Sequence, residues 1–317
     1  MNYLLFCRHL TNGKLPVIKV GNPLATLQLL VLKYKMVKSL ILFLNCFIIV
    51  LHGYTQPVET KRTTNCDSKR FQDSLISRYI DNGAEKLPGL YNNPDWQLFC
   101  DSIIAVCPNI AGTYQLKAVP YIKNGEYEKA FALNDKAVEL EPQRYTGYRG
   151  FLKCIFTKDY EGAIIDFRKA QQLMPNGGEM DHNYKFYEGL CNLELRNYSK
   201  SEENFKQDIF IQTGGDTSKT LHFNTLLYIG ILYYEMHRNA MAKEYLYKCL
   251  KIYEKLPEAN YYLAMVYKNE RDPLLKTKYL QIAREAIAKG YTMNEDNIYY
   301  ANYPHQITMY EINKELE

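Results

Sequence analysis

Tyr127-Glu128-Lys129-Ala130 and Tyr160-Glu161-Gly162-Ala163 are one phrase written twice, 33 residues apart. Prolines punctuate the chain around them at Pro108, Pro142 and Pro175, with spacings of 34 and 33 residues. Each proline closes a stretch that reads as two helices joined by a turn. A period in the low thirties means that the chain stacks supersecondary units side by side, each too small to bury its own apolar face. The expected architecture is all-α.

Working outward, the unit ending at Pro142 carries Tyr114, Ala118 and Tyr121, a turn at Asn124-Gly125-Glu126, then Ala130 and Ala137. The next has Gly150, Cys154, a turn at Lys158-Asp159, then Ala163, Phe167 and Ala170. A third gives Gly189, a turn at Arg196-Asn197-Tyr198, Ser201 and Phe205, and a fourth Gly230, Tyr233, Ala242, Leu246 and Cys249. The fifth opens with Leu263, Ala264 and Tyr267, and Asp272-Pro273 reads as an N-cap followed by proline in the first helical position. Two helices joined by a short turn approach most closely at one crossing, where only a small residue fits. Aromatic and aliphatic residues a turn away fill the wedge. Gly, Asn and Asp in the turns supply the left-handed residue that ends the first helix.

These residues resemble the tetratricopeptide repeat. Setting Ala111, Arg144, His182, Phe223 and Pro257 as the first position covers residues 111 to about 290 with five imperfect copies. The expected fold is an α-α superhelix of stacked helix-turn-helix repeats with capping helices. Departures are Asp208 where alanine is expected, Phe151 where a small residue is expected with Gly150 one place early, and an extra stretch Lys268–Asp272. Residues 67–110, with Phe71–Lys86 and Pro94–Val106, read as a degenerate N-terminal hairpin. In 291–317, Pro304–Leu316 with Ile307, Tyr310 and Ile312 reads as a capping helix. Gln212–Thr220, with Gly214-Gly215-Asp216, reads as a longer loop.

The net charge of +4 is not spread over the chain. Residues 1–56 hold six basic residues and no acid, leaving 33 basic against 35 acidic residues afterwards, so the repeats offer no basic footprint and no nucleic-acid partner is expected. The acid-free start itself reads as a targeting segment. From Met36 come Lys38, the 12-residue apolar run Leu40–Leu51 and Gly53-Tyr54-Thr55 before Gln56. The run is short of the about 20 residues of a spanning helix. A cleaved signal with residues 1–35 as an extension upstream of the true start is the expectation; an uncleaved anchor through residues 39–52 is the alternative. Membrane attachment would come only through that retained leader. Residues 57–66 read as a linker, and the expected location is the periplasm or cell envelope.

Export would place Cys66, Cys100, Cys107, Cys154, Cys191 and Cys249 in an oxidising space. Cys100 and Cys107, seven apart on one helix, lie ~10 Å apart and cannot bridge. Cys66 is therefore expected to pair with Cys100 or Cys107, and Cys154, Cys191 and Cys249 to be small core residues. No motif for phosphate, nucleophile or metal chemistry occurs, and the histidines stand alone, so no catalytic residue, metal or cofactor is assigned. Paired carboxylates such as Glu202-Glu203 and Glu295-Asp296 fall on expected solvated faces or loops, and a glycan-active helical toroid is the least favoured reading.

The resemblance implies a concave groove lined by fixed positions of each first helix. Here these include Tyr145, Tyr148, Leu152, Phe156, Phe186, Leu190, Leu227, Ile231, Tyr234 and Tyr261. The Lys and Asn with which relatives clamp a peptide's terminal carboxylate are replaced by Gln115/Val119, Tyr148/Leu152, Phe186/Leu190 and Leu227/Ile231. The expectation is a non-catalytic scaffold that binds a protein or peptide segment in an apolar, tyrosine-rich groove. The alternative is a structural or sensory part of an envelope assembly whose groove is filled by its own termini.

Overall fold

The computed structural model describes residues 66–293 and 303–317. They belong to the second of the chain's two units, Arg62–Glu317. The leader, its cleavage site, most of the linker and Glu295-Asp296 lie outside the described residues. Among the described residues no helix is long and apolar enough to cross a membrane.

Helix α1 (Lys69–Ile76) runs through a π-turn and two 3-10 turns to α2 (Asp95–Val106). Five hairpins come next: α3 (Ala111–Lys123) with α4 (Tyr127–Leu140), α5 (Pro142–Leu152) with α6 (Tyr160–Leu173), α7 (Tyr184–Glu194) with α8 (Tyr198–Thr213), α9 (Phe223–Glu235) with α10 (Asn239–Ile252), and α11 (Pro257–Asn269) with α12 (Pro273–Ala288). A short helix α13 (Met309–Leu316) ends the chain. The fold is an all-α superhelix.

The small residues sit where the hairpin helices cross. A Cβ on Gly189 would lie 2.8 Å from Phe205 Cδ1, and one on Gly230 2.7 Å from Leu246 Cγ. The turns share one device. The residue ending each first helix is left-handed, at Gly125, Lys158, Arg196, His237 and Arg271. Four of the five are not the Gly, Asn or Asp that the sequence led us to expect. They hold because the next amide reaches back to the helix: Asn197 N–H to Asn192 O at 2.8 Å, Arg238 N–H to Tyr233 O at 2.8 Å, Asp272 N–H to Tyr267 O at 2.9 Å. Asp272 also caps α12, accepting the Leu275 N–H at 2.9 Å.

The second repeat differs by one residue. Its turn amide, Asp159 N–H, reaches Lys153 O, six residues back instead of five, because Lys153–Thr157 is a π-turn. The inserted residue explains why Gly150 comes one place early. Gly150, not Phe151, meets the Phe167 ring, where an added Cβ would be 3.0 Å from Cε1. Tyr148 and Phe186 are therefore not equivalent positions.

Two polar anchors replace the standard pattern. Asp208 is fully buried, and it accepts from Asn183 Nδ2 (2.6 Å), Gln212 Nε2 (2.8 Å) and Thr225 Oγ1 (2.8 Å). It knits α8 to α9 and to a small hairpin, β1 (Gly178–Glu179) with β2 (His182–Asn183). Pro120 inside α3 has no N–H to give the Leu116 carbonyl. The indole N–H of Trp96 donates to that carbonyl at 3.0 Å, fastening α2 to the first repeat. A disulfide joins Cys66 to Cys107, and Cys100 is a free, buried thiol.

At the C-terminus, Pro304 does not start the helix. Residues Tyr303–Gln306 form a turn closed by Gln306 N–H to Tyr303 O at 3.1 Å, and α13 begins only after Thr308, whose side chain and Glu311 form a capping box. Proline fixed in a turn plus a strong downstream cap moves the boundary by five residues.

Candidate functional site

The concave face has two halves. In the C-terminal half the first helices are buried nearly all round: Phe186 to Leu193 of α7 and Asn224 to Tyr233 of α9 are inaccessible. Tyr303, Pro304 and Ile307 of the terminal turn are buried there, and Ile307 and Ile312 pack with Met265, Tyr234 and Tyr261. Of the ten groove residues expected from sequence, Tyr145, Leu152, Phe156, Phe186, Leu190, Leu227 and Ile231 are buried, and Tyr148, Tyr234 and Tyr261 are half-buried. Phe186 is core: the His182 ring stacks on it at 3.7 Å, and Phe205 and Tyr228 close its edges. His182 also meets His222 at 4.5 Å, so these two histidines do not stand alone.

The N-terminal half is open. A cavity of about 540 Å³ lies between α5, α7 and the hairpin, bounded by Gln115, Arg144, Tyr145, Tyr148, Glu179 and Tyr184. A second, of about 460 Å³, continues it past Arg144 and Tyr145 toward Ile110, Gln72 and Lys69. The sequence chose Tyr145 and Tyr148 but missed the charged residues. Arg144 lies over the Tyr145 ring at 5.6 Å. Glu179 is delivered by the β-hairpin, whose turn residues Met180 and Asp181 both have positive φ (45° and 63°), the geometry of a two-residue type I′ turn. Gly147 leaves room for this approach: an added Cβ would meet Tyr184 Cε1 at 2.5 Å and Glu179 Oε1 at 2.9 Å.

Desolvation pushes the Glu179 carboxyl up to about 7, against the pull of Arg144. Burial also raises the phenols of Tyr145, Tyr148 and Tyr184. The recess thus sets aromatic faces around one guanidinium, with the carboxyls of Glu141 and Glu179 on its wall. That suits main-chain carbonyls, apolar side chains and a single anionic group. Among the described residues no three His, Cys, Asp or Glu converge to hold a metal ion.

No family model matches the chain, and no curated protein is similar to it in sequence. Solved structures are similar in fold. PilF of Pseudomonas aeruginosa superposes with a TM-score of 0.53 at 17% identity, over 69% of this chain and 95% of that one. PilW, a type IV pilus biogenesis factor, gives 0.55 at 12% identity over 71% and 95%. The Cut9–Hcn1 hetero-tetramer gives 0.54 at 12% identity over 81% of this chain and 46% of that one. PilF and PilW are built of tetratricopeptide repeats. The chain has the fold of a tetratricopeptide repeat superhelix. At these identities the likeness is one of fold.

Proposed function

We propose that this superhelix is a non-catalytic scaffold that holds a segment of another protein in the open N-terminal half of its concave face. The observation that carries the reading is the pair of adjoining cavities that share Gln115, Glu141, Arg144 and Tyr145, with Tyr148 on the wall of the first, concave and aromatic-walled as peptide sites are. The groove is more polar than its sequence promised, because Arg144 and Glu179 line it, so binding should weaken with salt if the ligand offers a carboxylate to Arg144. The acid-free leader supports a location in the periplasm or cell envelope, and the Cys66–Cys107 disulfide is in keeping with an oxidising compartment. PilW's part in pilus biogenesis is in keeping with an envelope role. The second reading, a part of an envelope assembly with a self-filled groove, is favoured by the burial of Tyr303 and Pro304 in the other half.

The test removes two residues that line the cleft. Capture from envelope extract by the mature chain, with identification of the partner by mass spectrometry, should precede titration of that partner against Arg144→Ala/Tyr148→Ala. Loss of affinity of at least about tenfold is expected, since aromatic and arginine residues dominate interfaces. Unchanged affinity in a variant with an unchanged melt would remove the open cleft as the site.

A further inference from the structure

The turn Tyr303–Ile307 is bound by the superhelix in the way a peptide is bound. Tyr228 Oη donates to the Pro304 carbonyl at 2.8 Å. The Ile307 N–H lies beside the buried Glu258 carboxyl, whose Oε2 has no hydrogen-bond partner among the described residues. Tyr262 Oη lies 2.7 Å from His305 Nδ1, and Glu194 Oε1 lies 2.8 Å from His305 Nε2. The Tyr303 phenol approaches that of Tyr187, whose hydroxyl donates to Glu179 O at 3.1 Å. These five groups come from three successive first helices: Tyr187 and Glu194 from α7, Tyr228 from α9, Glu258 and Tyr262 from α11. Tyr228 addresses a main-chain atom, which is how grooves capture segments largely regardless of sequence, while Tyr303 and Ile307 supply the buried side chains.

A fixed structural lid would be served as well by an apolar wall. Glu258 and Tyr228 are instead polar groups of the superhelix, at 1% and 0% exposure with the turn in place. Burying them is costly unless a partner is supplied; the turn supplies it to Tyr228 and leaves Glu258 Oε2 without one. The turn is also self-contained. Besides its closing hydrogen bond, Tyr303 N–H donates to Gln306 Oε1 at 3.0 Å, so a short segment could bring the shape with it. His305 has a φ of 60°, an uncommon conformation for a residue other than glycine, and it is clamped from both ring nitrogens.

We infer that the recess under Tyr303–Ile307 is a peptide-recognition site whose resident occupant is the chain's own turn, and that it accepts in trans a segment of the same chemistry. That segment has an aromatic residue followed by proline, with an aliphatic residue four places after the aromatic. The inference extends the scaffold reading but uses other residues and needs no knowledge of the cleft's partner, so either can fail alone.

The probe is a synthetic peptide of residues 303–317, titrated against the full chain and against Tyr303→Ala/His305→Ala in the full chain. The variant should bind the peptide at least tenfold more tightly than the wild type, whose own turn competes. Adding Tyr228→Phe, which removes only the hydroxyl that holds Pro304 O, should weaken that binding severalfold. A peptide with Tyr303→Ala and Pro304→Ala should not bind. A variant that melts like the wild type and binds no peptide would make the turn a fixed structural element and overturn the inference. Should the variant fail to fold, amide exchange in the wild type decides. Excess peptide is expected to speed exchange at Gln306 and Ile307, and unchanged rates there would overturn the inference equally.

Discussion

Phe186 and Tyr148 look alike in the sequence and differ in the folded chain. Phe186 is fully buried between His182, Phe205 and Tyr228, whereas Tyr148 keeps one edge in the open cleft and stacks at 6.4 Å on Phe151. Phe186→Ala should cost about 3 kcal/mol or more by leaving a cavity that rigid rings cannot refill. Tyr148→Ala should cost less, because part of its surface never leaves water. Urea unfolding of the two variants checks this, and equal costs would refute it. The difference was not legible from periodicity. It arises from the single inserted residue in the π-turn Lys153–Thr157, whose only trace in the sequence is Gly150 standing one place early.

At the scale of elements, the N-terminal segment is fastened at two points, the Trp96 hydrogen bond to Leu116 O and the Cys66–Cys107 disulfide. The disulfide closes a loop across a separation of 41 residues. In the chain-entropy account such a loop is worth about 4 kcal/mol, so reduction should melt α1 and the turns after it while the repeats persist. Peptide mapping without reductant should find Cys66 joined to Cys107. Thermal melts with and without reductant should differ in an early transition, and a single unshifted transition would contradict this assignment. The hairpins themselves were legible because small residues, aromatics and prolines recur with the period. Less regular elements were not. The β-hairpin that carries Glu179 is built from Met180 and Asp181 in left-handed conformation, which no residue type there announces. The terminal turn was hidden because Ile307 and Ile312 fit a helical spacing as well as they fit a turn ahead of a capped helix. Arg144 was taken as the first residue of a repeat, and the one-residue shift turns it toward the cleft.

For the whole molecule, the buried carboxyl of Glu258 links stability to pH. Desolvation raises it from 4.5 to about 7, against the pull of its own amide and of the Ile307 amide. A raised folded value means the native state holds a proton that the unfolded chain has already lost. The stability this group contributes is therefore complete below about 4.5 and declines as pH rises through about 7. The full decline amounts to about 3 kcal/mol, from the size of the shift. His182 works in the opposite sense. Burial lowers it to about 3, so the unfolded chain takes up a proton below about 6.5 that the native state refuses, and stability falls on that side. The two terms overlap between about pH 4.5 and 6.5 and mask each other in the wild type. Comparison with Glu258→Gln removes the histidine term, which both chains share. The variant keeps an acceptor for the Ile307 amide but cannot ionise, so the two chains should have similar melting temperatures at pH 5. At pH 8 the variant should be the more stable by several degrees, because only the wild type must charge a carboxylate beside the terminal turn. The same comparison by amide exchange should show Ile307 opening more readily in the wild type at pH 8 than at pH 5. A melting difference that does not change between pH 5 and pH 8 would mean that Glu258 is ionised throughout, and that the grip on the turn does not depend on its proton.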